Sequence, residues 1–265
     1  MSREFNRDNR KRTSQDDEQM IYGIHPVLEA LNAGKEFDRV FIHHGARGDG
    51  IQQVRRMLRE KQIAFQEVPV EKLNRLTLKN HQDIIAFISP ISYQPLEEVV
   101  TRVFEQGMTP LVLLLDRITD VRNFGAIART AECAGVHALV IPKRGAAAVS
   151  ADAIRTSAGA LHNLPVCRVD HLRDAVHLLK ECGLKVFAAS EKGKTFHFNA
   201  DFSQPAAIIM GSEEDGVSSD LLKVSDQWLR IPMTGKVSSL NVSVAAGVLI
   251  FEALRQRMSG AGESV

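Results

Sequence analysis

The sequence is poor in cysteine, and its three thiols, Cys133, Cys167 and Cys182, include no Cys-x-x-Cys pair. It therefore lacks the spacing of a disulfide framework or of a structural zinc site. No apolar run approaches the ~20 residues of a membrane-spanning helix, and the first residues do not resemble a signal peptide. We expect free thiols and a soluble protein of the cytoplasm, without a metal or a membrane partner.

A dominant charge is also missing. Lys and Arg number 33 and Asp and Glu 32, so the formal charge is only +1. No global basic field marks the chain as a nucleic-acid binder, and any RNA must be held by a local patch. Arg55, Arg56 and Arg59 on one predicted helix form such a patch and could follow phosphates. A solvated helix face explains these arginines equally well.

Three widespread motifs are absent as well. The chain has no Gly-x-Gly-x-x-Gly after a strand, no Gly-x-x-x-x-Gly-Lys-Ser/Thr and no Gly-x-Ser-x-Gly. Their absence argues against a Rossmann dinucleotide enzyme, a P-loop NTPase and a serine hydrolase of the elbow type. The nine histidines show no spacing suited to a metal. Any chemistry must therefore come from loops of another kind.

The hydrophobic pattern divides the chain into two domains. Residues 1–19 are polar and predict a disordered tail, and residues 20–89 alternate between short helices and strands, as in a small α/β domain. Residues 90–110 contain three prolines around a short amphipathic helix and are interpreted as a linker. A second domain is predicted over residues 111–258, and a flexible C-terminus over residues 259–265.

The second domain opens with the continuous apolar run Leu111–Asp116, which is typical of a strand buried on both faces. Strands and helices then alternate, which predicts a parallel sheet with helices on both faces. The later strands are predicted at Val136–Ile141, Val166–Val169, Lys185–Ala189, Ala206–Met210 and Trp228–Ile231. A long last helix is predicted over Leu240–Met258, with apolar residues at helical spacing: Leu240, Val244, Val248, Phe251, Leu254 and Met258.

Three of these strands end in loops with polar and glycine residues. Parallel strands point their carboxyl ends at the ligand crevice, where glycines let a backbone approach a ligand and helix N-termini present free N–H groups. An ordinary capped helix explains the last of these loops at least as well when it is considered alone. From the residues themselves we predict a ligand site between the three loops, and its candidate residues are Asn123, Arg129, Glu213, Ser239 and Asn241.

The three loops resemble the three motifs of the SpoU/TrmH branch of the SPOUT RNA ribose methyltransferases, in the family's order. The matching segments are Asn123-x-Gly125-x-x-x-Arg129, Gly211-x-Glu213-x-x-Gly216 and Ile231-Pro-Met-x-Gly235-x-x-x-Ser239-Leu-Asn-Val. Residues 20–89, with Ile21-Tyr-Gly-Ile-His-Pro26 near their start, are similar to the RNA-binding substrate domain of the same family. The N-terminal tail is the one segment of the chain to which this resemblance does not extend.

This resemblance implies a deep trefoil knot in the C-terminal part and a homodimer with active sites at its interface. It also implies that S-adenosylmethionine binds to the backbone of the second and third loops, at Gly211, Ile231 and Leu240. The implied reaction is methylation of the 2′-hydroxyl of a guanosine in 23S rRNA. A tRNA ribose methyltransferase of the same family is the alternative, and a non-catalytic RNA-binding factor of ribosome assembly is a third candidate.

The resemblance also suggests roles for the site residues. Arg129 is the family's essential residue and is often described as the base, although a guanidinium accepts a proton poorly. Contact with the target phosphate or stabilisation of a developing alkoxide is equally compatible with its position. Asn123, Ser239 and Asn241 are expected to orient Arg129, the ribose and the cofactor. Glu213 positions the loop or the substrate, unless its role is purely structural.

Overall fold

The computed structural model describes residues 19–237 and 239–260, and the chain divides into two compact units after Pro90. The predicted tail (residues 1–19) and the predicted flexible C-terminus (residues 259–265) lie outside the described residues, except at positions 19, 259 and 260. Positions 259 and 260 belong to the last helix. None of the described helices has both the length and the apolar character needed to cross a membrane.

The first unit is a four-stranded sheet in the order β1–β4–β2–β3, with β4 antiparallel to both of its neighbours and β3 parallel to β2. Its strands are β1 (Met20–Tyr22), β2 (Phe37–His43), β3 (Gln66–Val68) and β4 (Ile84–Ile88), and its helices are α1 (Ile24–Asn32), α2 (Asp49–Glu60) and α3 (Val70–Leu76). The predicted helices at Pro26 and Ile51 are confirmed, whereas β1 and α3 were not predicted.

The second unit is a seven-stranded sheet in the order β7–β6–β5–β10–β8–β11–β9, and every neighbouring pair is parallel. This confirms the predicted parallel sheet. Its strands are β5 (Leu111–Leu115), β6 (Ala138–Pro142), β7 (Val166–Val169), β8 (Lys185–Ala189), β9 (Thr195–Phe196), β10 (Ala206–Met210) and β11 (Gln227–Arg230). Its helices are α4 (Leu96–Glu105), α5 (Val121–Cys133), α6 (Ala151–Thr156), α7 (Leu172–Glu181), α8 (Ser219–Val224) and α9 (Val242–Gly260).

Both faces of this sheet are covered by helices, as predicted. Leu111, Leu113 and Leu115 of β5 pack with α5, α6 and α9 on one face, while Val112 and Leu114 pack with α4, α7 and α8 on the other. All five side chains are buried because successive residues of a strand point to opposite faces. The continuous apolar run therefore contributes side chains to the hydrophobic cores on both faces of the sheet.

The predicted linker, residues 90–110, belongs mostly to the second unit. The chain divides between Pro90 and Ile91, and α4 buries Leu96, Val99, Val100 and Val103 in the core beneath the sheet. An amphipathic helix with four buried side chains is part of the domain that it covers. Of the three prolines that suggested a connection, Pro95 directly precedes the first turn of this helix, where a proline is tolerated.

The last helix buries a different face from the one that the sequence pattern suggested. Val242, Ala246, Leu249, Ile250 and Ala253 are the buried residues of α9. Three members of the predicted apolar stripe are exposed: Val244 (52%) and Phe251 (50%) on the outside of the helix, and Leu240, which lies two residues before its start at Val242. The helix is apolar around most of its circumference, so its pattern could not show which face covers its own sheet.

A half-buried arginine, Arg257, links the end of α9 to the sheet. The guanidinium of Arg257 donates to the carbonyl oxygens of Thr109, Pro110, Phe202 and Gln204, at 2.7 to 3.1 Å. These carbonyls directly precede or lie close before β5 and β10. A planar fork with five donors suits such a set, and burial lowers the pKa of Arg257 without removing its charge.

We expect Arg257→Leu to lower the free energy of unfolding by about 3 kcal/mol, because it removes four charged hydrogen bonds, three of them to partly buried carbonyl groups. Arg255→Leu on the same helix is the matched control. The Arg255 side chain is 62% exposed and, among the residues that the structure describes, pairs only with Glu252, so its loss should cost less than ~1 kcal/mol. Urea unfolding followed by circular dichroism measures both changes. Equal midpoints for the two variants would contradict this role of Arg257.

Candidate active site

The first site loop connects β5 to α5 and ends in a helix cap. The carboxylate of Asp120 accepts hydrogen bonds from the backbone N–H groups of Arg122 (2.7 Å) and Asn123 (3.2 Å). Asp120 is therefore the N-cap residue. The sequence motif that starts at Asn123 suggests a helix that begins there, but the helix begins two residues earlier, at Val121. Asn123 lies in the first turn and projects from a fixed helical position.

The cap also organises the charges of this loop. The side-chain hydrogen bond from Arg122, together with the two backbone donors, lowers the pKa of Asp120 to about 2. Asp120 in turn raises the pKa of Arg122, and the more distant charge of Glu213 adds to this effect. The carboxylate of Glu213 thus faces the start of α5, although it lies in another loop.

Three predicted site residues, one from each loop, meet through a single amide. The side-chain nitrogen Nδ2 of Asn241 donates to Oδ1 of Asn123 at 3.1 Å and to Oε1 of Glu213 at 2.6 Å. Oδ1 of Asn241 accepts from the backbone N–H of Ser243 at 2.9 Å, which caps the start of α9. This hydrogen-bonded group, which we call the three-loop cluster, joins the ends of β5, β10 and β11.

The second loop, Gly211–Gly216, is closed on itself. Ser212 and Gly216 exchange two backbone hydrogen bonds, of 3.1 and 3.0 Å. A Cβ atom on Gly211 would lie 2.0 Å from the carbonyl carbon of Gly216 and 2.0 Å from the nitrogen of Val217. We expected this glycine to let the backbone approach a ligand. The close approach seen in the structure is with the loop's own backbone, so glycine is required for the loop to close.

An arginine that the sequence analysis did not single out holds this second loop against β5. Arg117 donates to the carboxylate of Asp215 at 2.9 Å and to the carbonyl of Gly216 at 2.9 Å. The preceding residue, Asp116, is buried and accepts from the backbone N–H of Ser218 at 2.7 Å. The sequence signal that could have identified Asp116 and Arg117 is their position. A charged pair directly after a fully buried strand lies at the carboxyl edge of the sheet, where ligands bind.

The third loop leads from β11 to α9 and is exposed over most of its length. Ile231 is half-buried against the core, whereas Ser239 and Leu240 are exposed. The structure shows no hydrogen bond for residues 231–237, 239 and 240 within the described part of the chain. Their backbone donors and acceptors are therefore available to a ligand. This fits a cofactor that is recognised through main-chain groups.

Arg129 is exposed on α5, six residues beyond Asn123. It makes no hydrogen bond or ion pair with any residue that the structure describes, so it does not join the three-loop cluster. Its helix packs closely on α6 at Gly125. A Cβ atom at this position would lie 2.0 Å from the hydroxyl oxygen of Thr156, so a larger residue would push the two helices apart. The described residues contain no group of three or more His, Cys, Asp or Glu side chains that could hold a metal ion.

Comparison with known families matches both units of the chain. The family described as SpoU rRNA Methylase matches residues 110–251. A second family, described as RNA 2′-O ribose methyltransferase substrate binding, matches residues 20–94. The three loops of the candidate site all fall within the first match.

Individual proteins give the same result. A TrmH-family tRNA/rRNA methyltransferase of Staphylococcus saprophyticus is 32% identical over 91% of this chain and 97% of its own length. A tRNA/rRNA methyltransferase of Synechocystis sp. is 35% identical over 90% of this chain, which spans 62% of that relative.

Two solved structures differ in how much of this chain they match. The SpoU methyltransferase AviRb from Streptomyces viridochromogenes, in complex with the cofactor AdoMet, is 28% identical with a TM-score of 0.58. The match covers 91% of each chain, and therefore both units of this protein. The TrmH/SpoU tRNA modifying enzyme of A. aeolicus is 27% identical with a TM-score of 0.54, over 85% of its chain but only 62% of this one.

Proposed function

The chain belongs to the SpoU rRNA methylase family and is an S-adenosylmethionine-dependent RNA 2′-O-methyltransferase, and we propose that its substrate is the ribose of a guanosine in 23S rRNA. The observation that carries the placement of the reaction is the hydrogen-bonded contact of Asn241 with Asn123 and Glu213. It brings together residues from three separate loops at the carboxyl edge of a parallel sheet, where such folds bind ligands.

S-adenosylmethionine, when bound, supplies the electrophilic methyl group. We assign its binding to Gly211, Ile231 and Leu240, through the loop that Gly211 closes and through unpaired backbone groups of the third loop. The chain's own task is to align the 2′-hydroxyl with that methyl group and to manage the hydroxyl proton. Asn123, Glu213 and Asn241 fix each other's side chains, so the polar wall that faces the ribose is preorganised.

Arg129 and Ser239 complete the proposed site. Both are exposed, and neither has a hydrogen-bond partner among the described residues. An unpaired guanidinium can bind the phosphate beside the target ribose and stabilise the developing alkoxide. Ser239, two residues before Asn241, is placed to orient the ribose or the cofactor carboxylate.

The two-unit architecture favours rRNA over tRNA as the substrate. Residues 20–94 match a substrate-binding family, and the AviRb match spans both units, whereas the tRNA modifying enzyme of A. aeolicus matches only 62% of this chain. We therefore propose that the first unit, residues 20–89, binds the RNA. The finer resemblance is to the bacterial 23S rRNA guanosine 2′-O-methyltransferase RlmB. Intact motif positions disfavour a non-catalytic assembly factor.

The test maps ribose methylations in total RNA from a cytoplasmic extract of a deletion strain and of the same strain carrying the gene. We expect one 2′-O-methylguanosine of 23S rRNA to be lost and then restored. The purified protein should methylate 23S rRNA of the deletion strain but not its tRNA. A methylation lost only from tRNA would favour the tRNA ribose methyltransferase. Unchanged methylation maps, together with no methyl transfer in vitro, would favour the non-catalytic assembly factor.

We also propose that the protein is a homodimer and that α9 lies in its interface. Val244 and Phe251 form an exposed apolar stripe on this helix, and burial of such residues stabilises association. A monomer mass by light scattering at micromolar concentration would reject the dimer. The resemblance further leads us to propose a trefoil knot in the C-terminal part, which an experimental chain trace without a threaded segment would contradict.

A further inference from the structure

A partly exposed stack of one cation and two aromatic rings lies directly before the third site loop. The rings of Phe196 and Phe198 have centroids 5.3 Å apart and planes 14° from parallel. The guanidinium carbon of Arg230 lies 4.3 Å from the centroid of Phe196. Phe198 is 48% exposed, a high value for a phenylalanine that already contacts two neighbours. We call these three residues the aromatic stack.

The strand register places the aromatic stack at the carboxyl edge of the sheet. Arg230 is the last residue of β11 and pairs with Phe196, the last residue of β9. Ile231, the first residue of the third site loop, follows Arg230 directly. Because every strand of this sheet is parallel, the stack lies at the same edge as the three-loop cluster.

The charges around the stack favour an anionic partner. Lys192, Lys194 and Arg230 are exposed, and Glu191 is the one acidic residue in the loop between β8 and β9. Glu252 is already paired with Arg255, and this hydrogen bond is the main cause of its lowered pKa, to which His197 beside the stack adds a smaller effect. A polyanion that approaches the rings therefore meets three cations.

We propose that the aromatic stack binds an unpaired nucleobase of the RNA substrate, while Lys192 and Lys194 contact its phosphates. This proposal rests on the RNA methyltransferase function proposed above. Single-stranded bases stack on aromatic rings and on arginine planes, and such contacts tolerate any base. The rings of this stack hold each other in place, so little side-chain entropy is lost when a base is added. Unstacking a base near the target would also expose the target ribose.

Fluorescence anisotropy of the full-length protein with a fluorescein-labelled single-stranded RNA of mixed sequence tests this role. Phe198→Ala is expected to weaken binding roughly tenfold. Phe198→Leu, which keeps apolar bulk without a ring, should weaken it similarly, and Phe198→Trp should preserve it. A salt series separates stacking from charge. Lys194→Gln should reduce the slope of log affinity against log salt by about one, whereas Phe198→Ala should leave the slope unchanged.

Calorimetry with S-adenosylhomocysteine on the same variants separates this proposal from the proposed function. We expect unchanged cofactor affinity in all of them. If the wild-type protein binds neither S-adenosylhomocysteine nor RNA, the proposed function fails. If the wild type binds both and Phe198→Ala or Phe198→Leu retains full RNA affinity, only the role of the stack is overturned. A dimer that becomes a monomer in Phe198→Ala would also overturn it, because the stack would then contact a second copy of the chain.

Discussion

Arg129→Ala is expected to lower the rate of methyl transfer by roughly 10²–10³-fold while leaving the fold and the cofactor affinity nearly unchanged. The guanidinium is exposed and unpaired among the described residues, so its removal leaves no buried polar group without a partner. The packing of α5 depends instead on Ile127, Ala128 and Ala131, which are fully buried. A charge that acts mainly in the transition state gives this combination of effects.

Arg129→Lys should fail nearly as badly, because an ammonium group cannot reproduce the planar fork that binds a phosphate at two points. Single-turnover methylation and thermal unfolding of both variants measure the effect. Arg173→Ala, an exposed arginine on α7 at the opposite face of the sheet, is the matched control and should react at the wild-type rate. A stable Arg129→Ala protein with near-normal turnover would remove Arg129 from the mechanism.

Gly211→Ala is expected to weaken binding of S-adenosylhomocysteine by roughly 10²-fold, the equivalent of about 3 kcal/mol. The added methyl group would lie 2.0 Å from the backbone of Gly216 and Val217, which cannot rotate away as a flexible side chain would. The second loop must then open. Glu213, at its tip, would lose its position beside Asn241.

Calorimetry with S-adenosylhomocysteine checks the Gly211 prediction directly. Gly247→Ala on α9 is the control, because its added Cβ would meet only a methyl group of Thr130, at an ordinary 3.6 Å. This control should bind the cofactor normally and unfold no earlier than the wild type. Wild-type affinity in Gly211→Ala would show that the closed loop is not needed for the cofactor.

Most strands of the second sheet were predictable because they are short segments rich in apolar residues that alternate with helices. Val166–Val169, Lys185–Ala189 and Ala206–Met210 were predicted with the bounds that the structure gives. The short elements β1, β9 and α3 were not, since two to seven residues carry too little periodicity. Their formation depends on neighbouring strands and on burial of single residues such as Leu73.

For the site, the sequence located the three loops but not the contacts that hold them. Asn123, Glu213 and Asn241 could be named from their positions after three predicted strands, and the structure brings them together. The position of Arg117 directly after a buried strand was a signal for it, but its contact with Asp215 was not predictable, because the two lie 98 residues apart and no local pattern links them. Whether Arg129, Ser239, Gly211, Ile231 and Leu240 act as proposed stays a prediction.

The strand order also determines the order in which the second sheet can form during synthesis. The strand β10 lies between β5 and β8, and β11 lies between β8 and β9, so each enters between strands that are synthesised earlier. Until Ala206–Met210 emerges, β5 and β8 both have an unpaired apolar edge, of the kind that promotes aggregation. Such non-local pairing folds slowly. The segment that closes these edges also carries the second site loop, so the nascent protein covers them and gains Gly211, the first of its three proposed cofactor residues, in the same step.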